Sequence, residues 1–411
     1  MSTAAALRRS LAAAFARGLA SVDLQGRVAA AMPQVERGLP RGVRAGAVVA
    51  LGKASPAMAR GALAAAGGWC TKVLVVAPDG TEARLSDPRV ELLRASHPDP
   101  DVRSVAAARR ALEVARGADF VVALVSGGAS SLVCLPRGVS LTRYVRVARA
   151  MLLGGATVRE VNVVRRHLCA LKGGGLARVA GGPVRTLVAS DVIGGEPYDV
   201  GSGPTVPDPT TCAEAAALLA RFAPQLRAPA LSESLKPGDA AARGLRARIV
   251  ARPEELARAV ARELAPRFER VHVLRPSLAP VAELAAEYLA RARGLRAGEV
   301  MVRAAEPSLV VDPARAARGG RSTHLAALVA ADLPPGVALL AAASDGVDGA
   351  SESGGAVVDV SLSRRATPEA RARAIARFDT GALLAAAGMT LPLAPSGTNL
   401  ADVHVLARGA A

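Results

Sequence analysis

The sequence predicts an α/β protein of two domains, the first built on a Rossmann-like, doubly wound parallel sheet. Three observations carry that prediction. Short apolar, β-branched runs alternate with long Ala/Leu/Arg segments of helical period, as strands covered on both faces by helices do. A chain of 411 residues exceeds what one hydrophobic core usually organises. A polar, Pro-bearing stretch at 223–245 separates two such alternations and sets a boundary near 240, giving domains 1–240 and 241–411.

The elements follow in order. The first 23 residues have helical apolar spacing broken by Arg8, Arg9 and Arg17, which predicts an amphipathic helix and not a signal peptide. RAGAVVALG (44–52) reads as a strand and SPAMARGALAAAG (55–67) as a helix. TKVLVVAP (71–78) is a second strand, and VRSVAAARRALEVARG (102–117) a second helix. DFVVALVSGG (119–128) and VRTLVASDV (184–192) are buried strands that end in glycine or acid. Beyond the boundary ARIVA, RVHVLRP, PSLVVD and GVALLAAASDG are strand-like, with helices between them, so the second domain is α/β as well.

Composition narrows the function. Half the residues are hydrophobic (51%) and only 2% are aromatic, so small aliphatic side chains fill the cores and base-stacking platforms are scarce. The formal charge of +17 comes almost wholly from arginine; the lysines are Lys53, Lys72, Lys172 and Lys236. The arginines are scattered over alanine-rich helices such as 253–266 and 364–377, with no basic block, so no nucleic-acid partner is expected. A positive field suits small anionic ligands equally well. Cys70, Cys134, Cys169 and Cys212 show no C-x-x-C spacing, which reads as reduced thiols of a cytoplasmic protein and neither disulfides nor a zinc site. No apolar run has membrane-spanning length, so no membrane partner is expected.

Glycines and charged residues gather where predicted strands end, the place ligands take in open α/β sheets. Lys53 follows one strand and precedes a helix, in a chain that otherwise uses arginine for positive charge; a compact ammonium there can hold phosphate oxygens. Ser126-Gly127-Gly128-Ala129-Ser130 follows another strand, and paired glycines let backbone N–H groups wrap an anion. Asn162, Arg165, Arg166, His167 and Lys172 precede the glycines 173–175; Arg165, Arg166 and Lys172 could surround a polyphosphate or a carboxylate, His167 by itself reads as structural, and a helix ending in glycine would read the same way. Asp191 opens a long Gly/Pro-rich loop at 190–211 that also carries Asp199, Ser202, Thr205 and Asp208. The second half supplies Glu306, Arg321 after two glycines, Asp345 and Asp348 in D-G-V-D-G, and Thr398 and Asn399.

Taken together these segments resemble the glycerate 2-kinase family, whose C-terminal half is the MOFRL domain. The matching stretches are G-K-A with A-M-A at 52–59, H-P-D-P at 97–100 and S-G-G-A-S at 126–130. N-V-V-R-R-H-L with L-K-G-G follows at 162–174, then S-D-V with G-P-T-V-P-D-P-T at 190–210, G-G-R at 319–321, S-D-G-V-D-G at 344–349 and G-T-N-L-A-D at 397–402. The chain departs from the family pattern twice: Ala304-Ala305-Glu306 stands for G-G-E, and Ser322, Thr323 and His324 stand for N-Q-E after G-G-R.

The resemblance implies two α/β domains with the active site in a cleft between them, and transfer of the γ-phosphoryl group of ATP to the 2-hydroxyl of D-glycerate with Mg2+. It implies Lys53 and Arg321 at the transferring phosphoryl group, Asp191 at magnesium or at the attacking hydroxyl, and Asp345 as a further metal ligand. Ser126, Gly127, Gly128, Ser130, Asn162, Arg165 and Lys172 would bind nucleotide or substrate, with Glu306, Thr398 and Asn399. A homodimer is compatible with this reading. Two rival readings are a hydroxypyruvate reductase-like oxidoreductase and a non-catalytic member of the family; no G-x-G-x-x-G follows any predicted strand, which argues against a nicotinamide cofactor.

Overall fold

The computed structural model describes residues 3–311, 318–393 and 395–410. They form two compact units, Leu24–Ala251 (the first unit) and Met1–Asp23 with Arg252–Ala411 (the second).

The sheet of the first unit contains β1 (Gly46–Leu51), β2 (Cys70–Pro78), β3 (Val90–Ala95), β4 (Phe120–Ser126), β5 (Val184–Ala189) and β6 (Arg246–Ala251). All pairings are parallel, in the order β3-β2-β1-β4-β5-β6. The central strands GAVVAL and FVVALVS are buried at every position, because helices cover both faces and leave no polar side to the sheet. The order turns back between β1 and β4, so the connections leaving these neighbours diverge and open a crevice at their carboxyl ends.

The second unit holds β7 (Arg270–Val273), β8 (Glu299–Ala305), β9 (Val337–Ala343), β10 (Gly355–Asp359) and β11 (Asp402–Arg408), in the order β10-β9-β11-β8-β7. Only β7 and β8 run parallel; β11 is antiparallel to both β8 and β9. The helix Thr3–Ser21 packs on the helix Pro253–Leu264 and on β9 and β10. Its apolar stripe, with Leu11 and Ala14 buried, thus completes the core of the distant half of the sequence.

Several expectations are corrected here. The units divide between Ala251 and Arg252, not near 240, and residues 1–23 do not join the first unit. ARIVA lies in β6, which pairs with β5 of the first sheet. The polar 223–245 stretch is no linker: Leu235 is buried in the first core, and Ser232 N–H donates to the His167 carbonyl. Residues 307–311 are not strand, and Asp312 lies outside the described residues; the strand of that region is β8, seven residues earlier in apolar, β-branched sequence. Among the described residues no helix is long and apolar enough to cross a membrane.

Candidate active site

Lys53 and the 126–130 segment meet at the turning point of the first sheet. β1 pairs residue by residue with β4, from Gly46 with Phe120 to Leu51 with Val125, so the turns that follow emerge side by side. The Lys53 N–H donates to the Gly127 carbonyl at 2.8 Å, and the Ala54 N–H to Ser126 Oγ at 3.1 Å. Ser126 is wholly buried and its hydroxyl also donates to the Leu51 carbonyl at 3.3 Å. It therefore ties the two turns together and is not presented to a ligand, contrary to its expected binding role. Gly128 has φ +81°, and a Cβ there would stand 3.0 Å from Lys53 Cγ and 3.3 Å from His97 Cδ2. The absence of a side chain leaves room for the lysine stem beside the histidine of H-P-D-P.

A polar chain continues from this turn. Ser130 Oγ lies 2.9 Å from Ser202 Oγ, whose hydroxyl donates to Asn162 Oδ1 at 3.1 Å. The loop after β5 thus returns to the loop after β4, and Asn162 on the helix Val158–His167 joins them. Asp191, half-buried, follows β5 at the same carboxyl end of the sheet.

Three basic residues behave otherwise. Lys172, 1% exposed, is enclosed in the core: its ammonium donates to the Val133 carbonyl at 3.1 Å and lies 3.7 Å from Cys169 Sγ and 5.5 Å from the centre of the Tyr144 ring. It cannot hold the phosphate expected of it without leaving that enclosure. The glycines after it serve the fold: Gly173 N–H bonds Ser202 O, Gly174 N–H bonds Gly203 O, and the Gly173 carbonyl accepts from Leu235 N–H. Arg165 is half-buried on the helix Val158–His167, its Nε enclosed without a hydrogen-bond partner among the described residues. Arg166 pairs at 3.1 Å with Asp208, both nearly inaccessible. Asp208 also accepts from Thr210 and Ser234, so this carboxylate anchors its loop and is not a metal ligand facing outward.

In the second unit the register of β11 assembles the other residues. Asp402 stands opposite Ala305 on β8 and Ala343 on β9. The chain therefore brings Glu306, the turn at Ser344-Asp345 and the segment leading into β11 to one end of the sheet. Ser344 holds that segment by accepting from Leu400 N–H at its hydroxyl (2.7 Å) and from Ser396 Oγ at its carbonyl (2.6 Å). Thr398 and the buried Asn399 lie between these anchors.

Arg321 opens the helix Arg321–Ala330 and keeps about a third of its side chain exposed (34%). Its guanidinium grips the buried Asp402 with two bonds, Nε to Oδ2 at 2.7 Å and Nη2 to Oδ1 at 3.0 Å, while Nη1 lies 3.7 Å from Glu306. Burial pushes the Asp402 carboxyl up, against the pull of Arg321, so the arginine is what permits a carboxylate here. The helix start is fixed by Asp348, which accepts from the N–H groups of Ser322 (2.9 Å) and Thr323 (2.8 Å). Asp348 passes so close to Gly320 that any Cβ there would overlap it, which accounts for the second glycine of G-G-R. Ser322, Thr323 and His324 are buried: Ser322 donates to Asp402, Thr323 bonds Gly320 O, and His324 stacks on Phe378. Ser322 and Thr323 thus support Arg321 through Asp402 and the helix start.

The structure therefore gathers Lys53, Gly127, Gly128, Ser130, Asn162 and Asp191 in the first unit and Glu306, Arg321, Asp345, Thr398 and Asn399 in the second. Sequence reasoning missed Asp402 as the holder of Arg321, although it closes the G-T-N-L-A-D stretch, and His97 beside Gly128, although H-P-D-P contains it. A hollow of about 800 Å³ on the first unit, lined by Leu141, Val145, Arg146, Arg149, Arg221 and Phe222 among others, gathers none of the expected residues.

Residues 10–236 match DUF4147, described as a domain of unknown function, and residues 295–402 match the MOFRL family. The chain is 31% identical over 379 residues to the D-glycerate 2-kinase of Thermotoga maritima, covering 87% of this chain and 89% of that protein. It is 34% identical over 432 residues to an Agrobacterium vitis protein that bears hydroxypyruvate reductase as a provisional name, covering 98% of this chain and 94% of the other. The crystal structure of glycerate kinase from Thermotoga maritima aligns with a TM-score of 0.79 at 27% identity, covering 98% of this chain and 99% of that one. Those matches over nearly the whole length, and the two sheet ends furnished with the residues of the shared motifs, establish that this chain belongs to the glycerate 2-kinase family.

Proposed function

We propose that this chain transfers the γ-phosphoryl group of ATP to the 2-hydroxyl of D-glycerate, giving 2-phosphoglycerate and ADP. The observation that carries the reading is the meeting of Lys53 with the Gly127-Gly128 turn at the turning point of the parallel sheet. In the reaction a bond forms between the hydroxyl oxygen and the γ-phosphorus while the bond to the ADP oxygen breaks. Charge grows on the bridging and equatorial oxygens, and fixed cations and N–H groups stabilise it. Lys53 and Arg321 are assigned to that charge. Gly127, Gly128 and Ser130 are assigned to phosphate, with Asn162 steadying Ser130 through Ser202. Glu306, Thr398 and Asn399 are assigned to substrate or nucleotide binding.

The hydroxyl proton needs an acceptor, and Asp191, half-buried after β5, is assigned to orient the hydroxyl or to hold magnesium. Mg2+ is usually held by one or two carboxylates together with water and phosphate oxygens. Asp191 in the first unit and Asp345 in the second are each a half-buried carboxylate at a strand end, and each fits that donor set. Bound there, the ion would neutralise phosphate charge.

A nicotinamide reaction is disfavoured by the same sheet. The turn after β1 carries Gly52-Lys53-Ala54 and lacks the glycine series that admits a pyrophosphate. The carboxylate after β2, Asp79, is clasped by both terminal nitrogens of Arg103 at 2.8 and 2.7 Å, not offered to a ribose. The decisive experiment incubates the protein with ATP, Mg2+ and D-glycerate, follows ADP release, and identifies the phosphorylated carbon by NMR. The expected product is the 2-phosphate, formed only while Mg2+ is present. NADH oxidation with hydroxypyruvate and no ADP release would refute the kinase reading.

A further inference from the structure

Among the described residues, one group of His, Cys, Asp or Glu side chains converges as metal ligands do. The donor atoms of His167, Cys212 and Glu233 all lie within 4.8 Å of one another. They come from separate parts of the first unit: His167 ends the helix Val158–His167, Cys212 begins the helix Cys212–Phe222, and Glu233 lies in the loop before Ser234. Hydrogen bonds from backbone N–H groups hold the three segments in place. Ser232 N–H donates to the His167 carbonyl at 3.0 Å, and Cys212 N–H donates to Glu233 Oε1 at 2.9 Å.

The orientation of the imidazole points to a ligand. His167 is 1% exposed, and its Nδ1 lies 2.9 Å from the Val163 carbonyl oxygen. A carbonyl only accepts, so Nδ1 carries the hydrogen, and in the neutral ring Nε2 presents a lone pair. That nitrogen is enclosed, has no hydrogen-bond partner among the described residues, and faces Glu233 Oε2 at 3.5 Å. The Cys212 thiol hydrogen-bonds the same carboxylate, so a metal ion placed among these atoms would use all three donors at once. An Nδ1–H bond to a backbone carbonyl is also the usual way a metal-binding histidine is steered.

We propose that His167 Nε2, Cys212 Sγ and the Glu233 carboxylate form a zinc site, with water in a fourth position toward solvent. Zinc accepts nitrogen, sulfur and oxygen donors together, in tetrahedral array. With bonds of about 2.0–2.3 Å, tetrahedral donors stand roughly 3.3–3.8 Å apart, a spacing the imidazole and carboxylate already have at 3.5 Å. Glu233 is exposed and Cys212 partly so, which leaves an entry path to the buried ring. Binding forms a zinc–sulfur bond and releases the thiol proton to solvent. Burial and the adjacent Glu233 raise the Cys212 thiol above its ordinary value, so that proton is present before the metal arrives. Lys236 is the competitor: its ammonium lies 2.7 Å from Glu233 Oε2. It also donates to the Thr210 carbonyl and to Ser234 Oγ, which retain it when the carboxylate turns to the ion. The site joins two helix ends and a loop, so a bound ion would tie these three segments together.

The test uses tag-free, chelator-stripped full-length protein, with Co2+ as the spectroscopic probe and Zn2+ in competition with a chromophoric chelator. One equivalent of cobalt should bind with thiolate-to-metal absorption in the near ultraviolet. Cys212→Ser should abolish that band and weaken zinc about tenfold or more, and Glu233→Gln should weaken zinc similarly. Lys236→Met should tighten it. Because His167→Ala removes a buried ring, the two variants at accessible positions decide the matter. Cobalt binding without the band, a band that persists in Cys212→Ser, or zinc affinity unchanged in both variants overturns the assignment.

Discussion

At the end of the first sheet Lys53 is placed by backbone: its N–H bonds a turn carbonyl, and Gly128 clears the space for its stem. At the end of the second sheet Arg321 is placed by charge: a buried carboxylate grips it, and that carboxylate in turn is bonded by Ser322. The difference has a physical cause. A parallel sheet delivers neighbouring turns at one end, and close-packed backbone fixes where a side chain leaves the chain there. The mixed sheet brings a carboxylate at the start of β11 between β8 and β9, and a buried carboxylate requires a cation. In the second unit function and stability are joined at the cation, because Arg321 also compensates the buried Asp402.

The strongest way to break that comparison is to remove each cation. Lys53→Ala should lower kcat by about a hundredfold or more, the scale of a lost transition-state contact, with a smaller fall in thermal midpoint than the loss of Arg321 brings. Arg321→Ala should lower kcat comparably and also destabilise the fold, because it leaves Asp402 buried and uncompensated, at a cost of about 3–5 kcal/mol. Steady-state kinetics beside denaturant titration separates the two outcomes. Equal stability in both variants would remove the distinction. Asp402→Asn sharpens it, since the fork is lost while the shape stays. Its kcat should fall with Arg321 still present, and KM should move less than kcat.

A smaller effect is expected at Gly128→Ala. A left-handed φ costs a residue with a Cβ about 1–2 kcal/mol, and the new methyl would press on Lys53 Cγ at 3.0 Å. Activity should drop by roughly tenfold at the corresponding energy of misplacing one group, and the midpoint should fall as well. Normal kinetics in this variant would show that Lys53 does not depend on the turn for its position.

Much of this was legible in the sequence because local patterns dictate it. The runs GAVVAL and FVVALVS announce buried strands, and the glycines after them announce turns at a ligand's place. Lys172 was misread because a lysine before a glycine triplet looks like a phosphate loop; only the tertiary fold shows that those glycines admit Ser202, Gly203 and Leu235 instead. The domain boundary was misplaced for a similar reason. A polar, Pro-bearing stretch resembles a linker until Leu235 is seen in a core. The first helix carries no local sign that its apolar stripe matches strands more than three hundred residues away. Asp402 escaped because its role depends on the long-range antiparallel placement of the final strand.

A last effect concerns acid. The central strands of the first sheet, GAVVAL and FVVALVS, contain no titratable side chain, whereas β11 carries His404 two residues beyond Asp402. His404 is buried, with Nδ1 2.9 Å from the Tyr288 hydroxyl. Burial, then the Arg321 and Arg303 guanidiniums, lower its pKa to about 3. In the unfolded chain the ring titrates near 6.5, so between that value and about 3 the unfolded state binds a proton that the folded state refuses. Stability of the second unit should therefore decline as pH falls through that window. Glu287, held down to about 2 chiefly by Arg303, adds a further loss below its ordinary value of 4.5. The buried Asp402, raised by desolvation, acts in the opposite sense. His404→Gln isolates the histidine: whatever constant penalty the substitution brings, the difference in unfolding free energy from wild type should shift in favour of the variant as pH falls from 6.5 toward 3. Hydrogen exchange should place the acid-sensitive opening in β8, β9 and β11 rather than in β1 and β4. A pH-independent difference would mean that the folded state accommodates the charged ring.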